Sequence, residues 1–138
     1  MTRILGLDYG ERRVGVAISD PMCMLATPVE TLLITGMNNA VEQVAAIVVA
    51  REIDKILVGL PLNMNNTKGE IALLCEKFAG KLAKATGREI IMWDERMTSM
   101  AAKRVLLAAD VSRAKRKKVI DKMAAQILLQ SYLDAQTI

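Results

Sequence analysis

Apolar and polar residues change period along this chain, and each change marks an element. Residues 3–9 form an apolar run that leaves through Asp8-Tyr9-Gly10-Glu11, and residues 13–19 repeat the run at hairpin distance. After a loop marked by Pro21 and Pro28, residues 31–34 read as a short third strand. The period then lengthens. Asn38 or Asn39 is placed to cap a helix whose Val41, Val44, Ala45 and Val48 share one face. Residues 55–60 return to a short apolar run closed by Pro61, the mark of a buried strand reached by a crossover and lying parallel to the first. Thr67 and Glu70 have the spacing of a capping box for a second helix, and Gly87 is placed to end it. A fifth strand is expected over 89–93, then a helix over 98–109, a basic loop, and a long apolar helix from about 119 to 135.

This order, β-β-β-α-β-α-β-α-α, begins with antiparallel hairpin connections and continues with βα units. It predicts an α/β chain of the ribonuclease H-like kind, a five-stranded mixed sheet flanked by helices, rather than a doubly wound sheet that alternates from its start. At 138 residues without a linker or repeat, a single domain over 1–138 is expected.

Composition narrows the chemistry. No apolar run approaches the length of a membrane span, and Asp8 interrupts the N-terminal run too early for a signal peptide, so a cytoplasmic address is expected. Cys23 and Cys75 form no paired motif, which argues against zinc and against a disulfide framework. The chain has no histidine, which removes the common Ser-His-Asp and Cys-His catalysts and leaves carboxylates, lysines, hydroxyls or metal ions. The charge is also uneven. Residues 1–50 carry three basic and five acidic side chains, whereas residues 101–138 carry eight basic and three acidic. A basic C-terminal third beside an acidic site points to a phosphate polymer as partner, with an ordinary solvated surface as the alternative.

Three acidic positions carry the candidate chemistry. Asp8 ends the first strand, with Gly10 two positions on to admit a close backbone or a phosphate; a turn-capping role is the bland alternative. Asp94-Glu95-Arg96 closes the fifth strand. Adjacent residues point to opposite faces, so one of these acids shares a site with Asp8. Glu95 is favoured for its reach, Asp94 stays open, and Arg96 serves as a clamp or a phosphate contact. Asp121 shares a helix face with Ala124, Ala125, Leu128 and Tyr132, where a carboxylate is costly unless paired or metal-bound. Its alternative is stabilisation of a helix N-terminus, since the expected helix starts just before it. Together Asp8, Glu95 or Asp94, and Asp121 form a hard oxygen set suited to Mg²⁺ or Mn²⁺, which in pairs can hydrolyse a phosphodiester without histidine.

Leu7-Asp8-Tyr9-Gly10 with Arg12-Arg13-Val14-Gly15-Val16-Ala17 and Ser19-Asp20-Pro21 resembles the opening signature of the YqgF/RuvX proteins. Val58-Gly59-Leu60-Pro61-Leu62-Asn63-Met64, Asp94-Glu95-Arg96-Met97-Thr98-Ser99 and Ile120-Asp121-Lys122-Met123-Ala124-Ala125 resemble its later blocks in the same order. The resemblance implies a ribonuclease H-like fold and a pre-16S ribosomal RNA nuclease related to Holliday junction resolvases, with Asp8, an acid of the Asp94-Glu95 pair and Asp121 as its acidic site. The turn after Met64 commonly reads Asp-Gly-Thr in that family; here it is Asn65-Asn66-Thr67, and Asn tolerates the left-handed conformation nearly as glycine does.

Phosphate contacts are expected from Arg12 and Arg13 beside Asp8, and from Arg113, Lys115, Arg116, Lys117 and Lys118 ahead of Asp121. Asn63 is a phosphate donor or, by preference, a cap of its turn. The expected function is metal-dependent cleavage of structured precursor ribosomal RNA by a monomer or homodimer. Cleavage of four-way DNA junctions, which requires a symmetric dimer, is the alternative within the class. A non-cleaving RNA-binding assembly factor is the alternative outside it. An actin-like phosphotransferase ranks last, because its two lobes need a longer chain.

Overall fold

A computed structural model describes residues 2–63, 65–98 and 113–136, the last segment with side chains from Met123 onward. Five strands, β1 (Ile4–Tyr9), β2 (Arg13–Ser19), β3 (Ala26–Leu33), β4 (Lys55–Leu60) and β5 (Glu89–Asp94), form one sheet in the order β3-β2-β1-β4-β5. The first three are antiparallel, and β4 and β5 run parallel to β1. Helix α1 (Met37–Ala50) crosses from β3 to β4, α2 (Glu70–Thr86) crosses from β4 to β5, and α3 (Arg113–Gln136) follows. This is the ribonuclease H-like arrangement that the period changes predict.

Alternation along β1 divides the core in two. Leu5 and Leu7 join Val14, Val16, Ile56 and Val58 beneath α1 and α2, where Val44, Val48, Phe78 and Leu82 are buried. Ile4 faces the other way, with Ala17, Leu57 and the α3 residues Ala125, Leu128, Leu129 and Leu133. Gly6 lies between Ile4 and Asp8 on that second face, and a Cβ there would stand 2.8 Å from Leu129 Cβ. Only glycine lets α3 settle this close to β1.

Several local expectations are corrected. Strand β3 starts at Ala26 rather than Thr31 and runs through Pro28. The sequence marks a loop there, but β3 is an edge strand whose register against β2 shifts between Val16 and Ala17, and edges and bulges accept proline. Helix α1 starts at Met37 behind Gly36, so neither Asn38 nor Asn39 caps it. Asn39 Oδ1 instead accepts from the Thr35 amide at 3.0 Å and from Gln43 Nε2 at 2.9 Å, tying the chain ahead of the helix to its second turn. The Thr67–Glu70 capping box does not form, because Gly69 holds the N-cap position of α2. The Thr67 hydroxyl is engaged within its own turn, accepting from Asn63 Nδ2 and donating to Asn65 Oδ1. Gly87 does end α2, left-handed at φ 67°, with its amide bonded to the Ala83 carbonyl. The segment expected to be a basic loop is helical from Arg113. Lysine and arginine are good helix formers, and neither glycine nor proline interrupts 113–136. The helix expected over 98–109 lies, apart from Thr98, outside the described residues.

Candidate active site

Asp8 is the next residue after Gly6 on the α3 face of β1, half-buried, with Gly15 of β2 directly opposite. The parallel register pairs Leu7 with Val58, and one step further brings Asp8 level with Gly59 of β4. Asp8 thus stands between two glycines on a sheet otherwise covered by apolar side chains. Strand residues without side chains make room for a hollow above the sheet that other groups can enter.

Glu95 fills the β4 side of that hollow. It opens a single 3₁₀ turn (Glu95–Met97) after β5, and its carboxylate folds back over Gly59. A Cβ on Gly59 would lie 2.7 Å from Glu95 Oε1, 3.2 Å from Glu95 Cγ and 3.0 Å from Leu128 Cδ2. Both acids also register on one buried thiol. Cys75 of α2 packs under the sheet with Leu7 and Val58, and its pKa is pushed up to about 11, first by burial and then by the charges of Glu95 and Asp8, with Glu76 adding to them.

Asp94 is held differently. Its Oδ1 accepts from the Arg96 amide at 2.9 Å and caps the 3₁₀ turn, while Arg96 Nε reaches both carboxylate oxygens at 3.0 Å and a terminal nitrogen of Arg96 lies 2.6 Å from Oδ2. These hydrogen bonds hold the Asp94 carboxyl below its usual range, and the same pairing raises the Arg96 guanidinium. Arg96 reaches onward to the β4–α2 connection, donating to Asn66 Oδ1 at 2.6 Å and to the Asn63 carbonyl at 3.4 Å.

Asn63 itself is tied into that connection. Its amide donates to the Thr67 carbonyl and its side chain to the Thr67 hydroxyl, closing a small hairpin sealed by a bridge between Leu62 and Lys68. Arg12 is exposed, with its carbonyl accepting from the Ile34 amide, and Arg13 starts β2 with its carbonyl bonded to the Gly10 amide. The close approach that Gly10 admits is this hairpin, since a Cβ there would meet Arg13 O at 3.0 Å. Arg113, Lys115, Arg116, Lys117 and Lys118 fall in the first two turns of α3.

Asp121 lies eight residues into α3, four before Ala125, whose carbonyl packs against Gly6. The helix dipole acts within the terminal turn, so the longer helix removes N-terminal stabilisation as the reason for an acid here. The Asp121 side chain is outside the described set, and among the described residues no group of three metal-ligating side chains assembles. What the sequence reading missed is the pair Gly15 and Gly59. The signal was present in Val14-Gly15-Val16 and Val58-Gly59-Leu60, a glycine inside each of two apolar strands.

Comparison with known proteins decides the family. The family model described as RuvX, Holliday junction resolvase, matches residues 2–135. The chain belongs to the RuvX family. Among RuvX relatives, a Bacillus cytotoxicus protein named "Putative pre-16S rRNA nuclease" is 48% identical over 136 residues, 97% of this chain and 99% of that one. A protein of the same name from Bacillus thuringiensis strain Al Hakam matches to the same extent. Solved structures share the fold at low identity. Thermus thermophilus RuvC in complex with a Holliday junction substrate aligns with TM-score 0.60 and 12% identity over 99% of this chain and 96% of that one. The fowlpox virus Holliday junction resolvase aligns with TM-score 0.55 and 15% identity over 97% and 99%. This RuvX chain is a hydrolase of the nuclease class, and among its described residues no helix is long and apolar enough to cross a membrane.

Proposed function

We propose that this chain cleaves phosphodiester bonds in the precursor of 16S ribosomal RNA, in the cytoplasm, with Mg²⁺ or Mn²⁺ held by Asp8, Glu95 and Asp121. The observation that carries the reading is the Glu95 carboxylate lying over Gly59, level with Asp8, on the face that α3 covers. The donor set fits such an ion. Asp8 and Glu95 present hard oxygens at half-buried positions, and the buried thiol of Cys75 lies across the sheet with its proton held. When bound, a pair of divalent ions lowers the pKa of the attacking water and neutralises the leaving oxygen.

The chain's own residues divide the remaining work. Glu95 is the metal-facing member of the Asp94-Glu95 pair, because both Asp94 oxygens are taken by Arg96. Strand pairing of β1 with β2 fixes the Asp8 backbone and so the point from which its carboxylate leaves the sheet. The basic turns at the start of α3, with Arg12 and Arg13 at the β1–β2 turn, take the backbone phosphates. The substrate assignment rests on the named relatives at 48% identity.

The description of the family model as a Holliday junction resolvase favours a second substrate, a four-way DNA junction, which requires a two-fold dimer. The test incubates purified protein and Asp8→Asn with precursor 16S RNA and with a junction, in Mg²⁺, in Mn²⁺ and in chelator. Metal-dependent cutting of RNA, abolished in the variant, is expected. Cutting of the junction alone replaces the substrate assignment. Binding of RNA without cutting by either protein removes the catalytic reading and leaves an assembly factor.

A further inference from the structure

Two loops meet at Arg96, and the meeting point is unlike an ordinary surface ion pair. One is the 3₁₀ turn that delivers Glu95; the other is the β4–α2 hairpin, whose apex residue Asn66 is left-handed at φ 69°. Asparagine adopts that conformation at small cost and, unlike glycine, brings a side-chain oxygen to it. Asn66 Oδ1 spends that capacity on Arg96 at 2.6 Å, while the guanidinium also grips Asp94 through three nitrogen–oxygen contacts. Asp94 and Arg96 are the two neighbours of Glu95. A clamp on both neighbours restricts the backbone of the residue between them.

We propose that Asn66, Arg96 and Asp94 form a latch that fixes the β4–α2 hairpin to the 3₁₀ turn and thereby positions Glu95 over Gly59. Arg96 is in this view a positioning residue and not a phosphate contact. Four of its hydrogen-bonding contacts are already made within the protein, to Asp94 and Asn66, and a fifth goes to the Asn63 carbonyl. Asn66 acts at one remove, from a turn that does not otherwise belong to the site. The inference rests on the reading of Glu95 as a metal ligand, and two separate measurements keep the two ideas apart.

Asn66→Gly is the decisive variant, since glycine keeps the left-handed turn and removes only the acceptor. Asn66→Asp is its control, retaining an acceptor for Arg96. In metal-free protein, amide hydrogen exchange at Arg96 and Thr98 reports the 3₁₀ turn directly, because those amides bond to Asp94 Oδ1 and the Glu95 carbonyl. Exchange there is expected to quicken in Asn66→Gly and to return toward wild type in Asn66→Asp. Trp93, the chain's single tryptophan, directly precedes Asp94 and serves as a fluorescence probe for titration with Mn²⁺. Apparent Mn²⁺ affinity is expected to fall roughly ten-fold in Asn66→Gly, the scale on which partners of metal ligands act, with rescue by Asn66→Asp. In cleavage assays kcat falls while KM for nucleic acid holds. Unchanged exchange in Asn66→Gly overturns the latch, as does equal loss in both variants. A rise in KM with a reduced salt slope also overturns it, returning Arg96 to the phosphates. Altered exchange together with no Mn²⁺ response in wild type upholds the mechanical link and instead overturns the metal role of Glu95.

Discussion

Adding one methyl group to Gly59 separates the site from the fold that carries it. In Gly59→Ala the new Cβ would stand 2.7 Å from Glu95 Oε1 and 3.0 Å from Leu128 Cδ2, both inside ordinary contact. Those neighbours are the ends of side chains, so the structure has a cheap way to yield. The carboxylate swings out of the hollow and Leu128 gives by a few tenths of an ångström. Overpacking commonly costs about 1–3 kcal/mol, and replacing a strand glycine returns about 0.4–1 kcal/mol through the unfolded chain, so the net loss is about 1 kcal/mol. For a domain of this size that is a drop of roughly 3–4 °C in Tm. Activity responds on another scale, since moving a reacting group by about 1 Å can cost about 100-fold. Gly6→Ala is the matched control. Its Cβ meets Leu129 Cβ at 2.8 Å, an atom fixed to the α3 backbone that cannot swing away. That variant is expected to lose about 3 kcal/mol, the upper end of the overpacking range. Thermal melts and metal-dependent cleavage rates on the three proteins make the comparison. Gly59→Ala cutting at the wild-type rate would refute the placement of Glu95, and Gly59→Ala melting as low as Gly6→Ala would refute the claim that only a side chain moves.

Three further outcomes follow from the charges. The buried Cys75 thiol, raised to about 11 from an ordinary 9, should resist iodoacetamide at pH 8 while the partly exposed Cys23 reacts, as mass spectrometry of labelled peptides would show. Because the folded pKa lies above the unfolded one, Cys75 contributes stability that is complete below pH 9 and is lost as pH rises toward 11. Cys75→Ala should flatten stability across that window, and an unchanged slope would mean that another group titrates there. Replacing Lys115, Lys117 and Lys118 with glutamine should weaken RNA binding and lower the salt slope by about 0.7–0.9 for each phosphate that is no longer neutralised. A slope that stays put would place the phosphates elsewhere.

Much of this architecture is legible in the sequence. Strands β2 and β4 begin and end where their apolar runs do, and Gly87 ends α2 as a left-handed cap. The misreadings share a cause: one local signal is overruled by a competing interaction, near or far along the chain. Pro28 has the look of a break but is harmless on an edge strand with a bulge. Thr67 has the spacing of a helix cap, yet its hydroxyl is claimed by Asn63 and Asn65 in the preceding turn. At the site, strand-end position alone suggests Asp8 and leaves Asp94 and Glu95 open. In the structure Glu95 lies over Gly59 of the neighbouring strand while Asp94 pairs with Arg96, a difference that strand-end position does not reveal. Likewise the cationic run 113–118 looks solvated and irregular by charge, whereas it begins the same helix that packs on the sheet further along.

The covering of one sheet face by α3 has a consequence for the newborn chain. Ala26 receives its side-chain partners Gln126 and Gln130 from residues 100 and 104 positions later, and Gly6 waits still longer for Leu129. During synthesis at roughly 5–20 residues per second, the sheet and its first two helices emerge with that face bare for several seconds. Asp121 arrives with the same late helix. The acid set proposed above is incomplete until then, and the interval before α3 docks is when the exposed face is most open to chaperones or to aggregation.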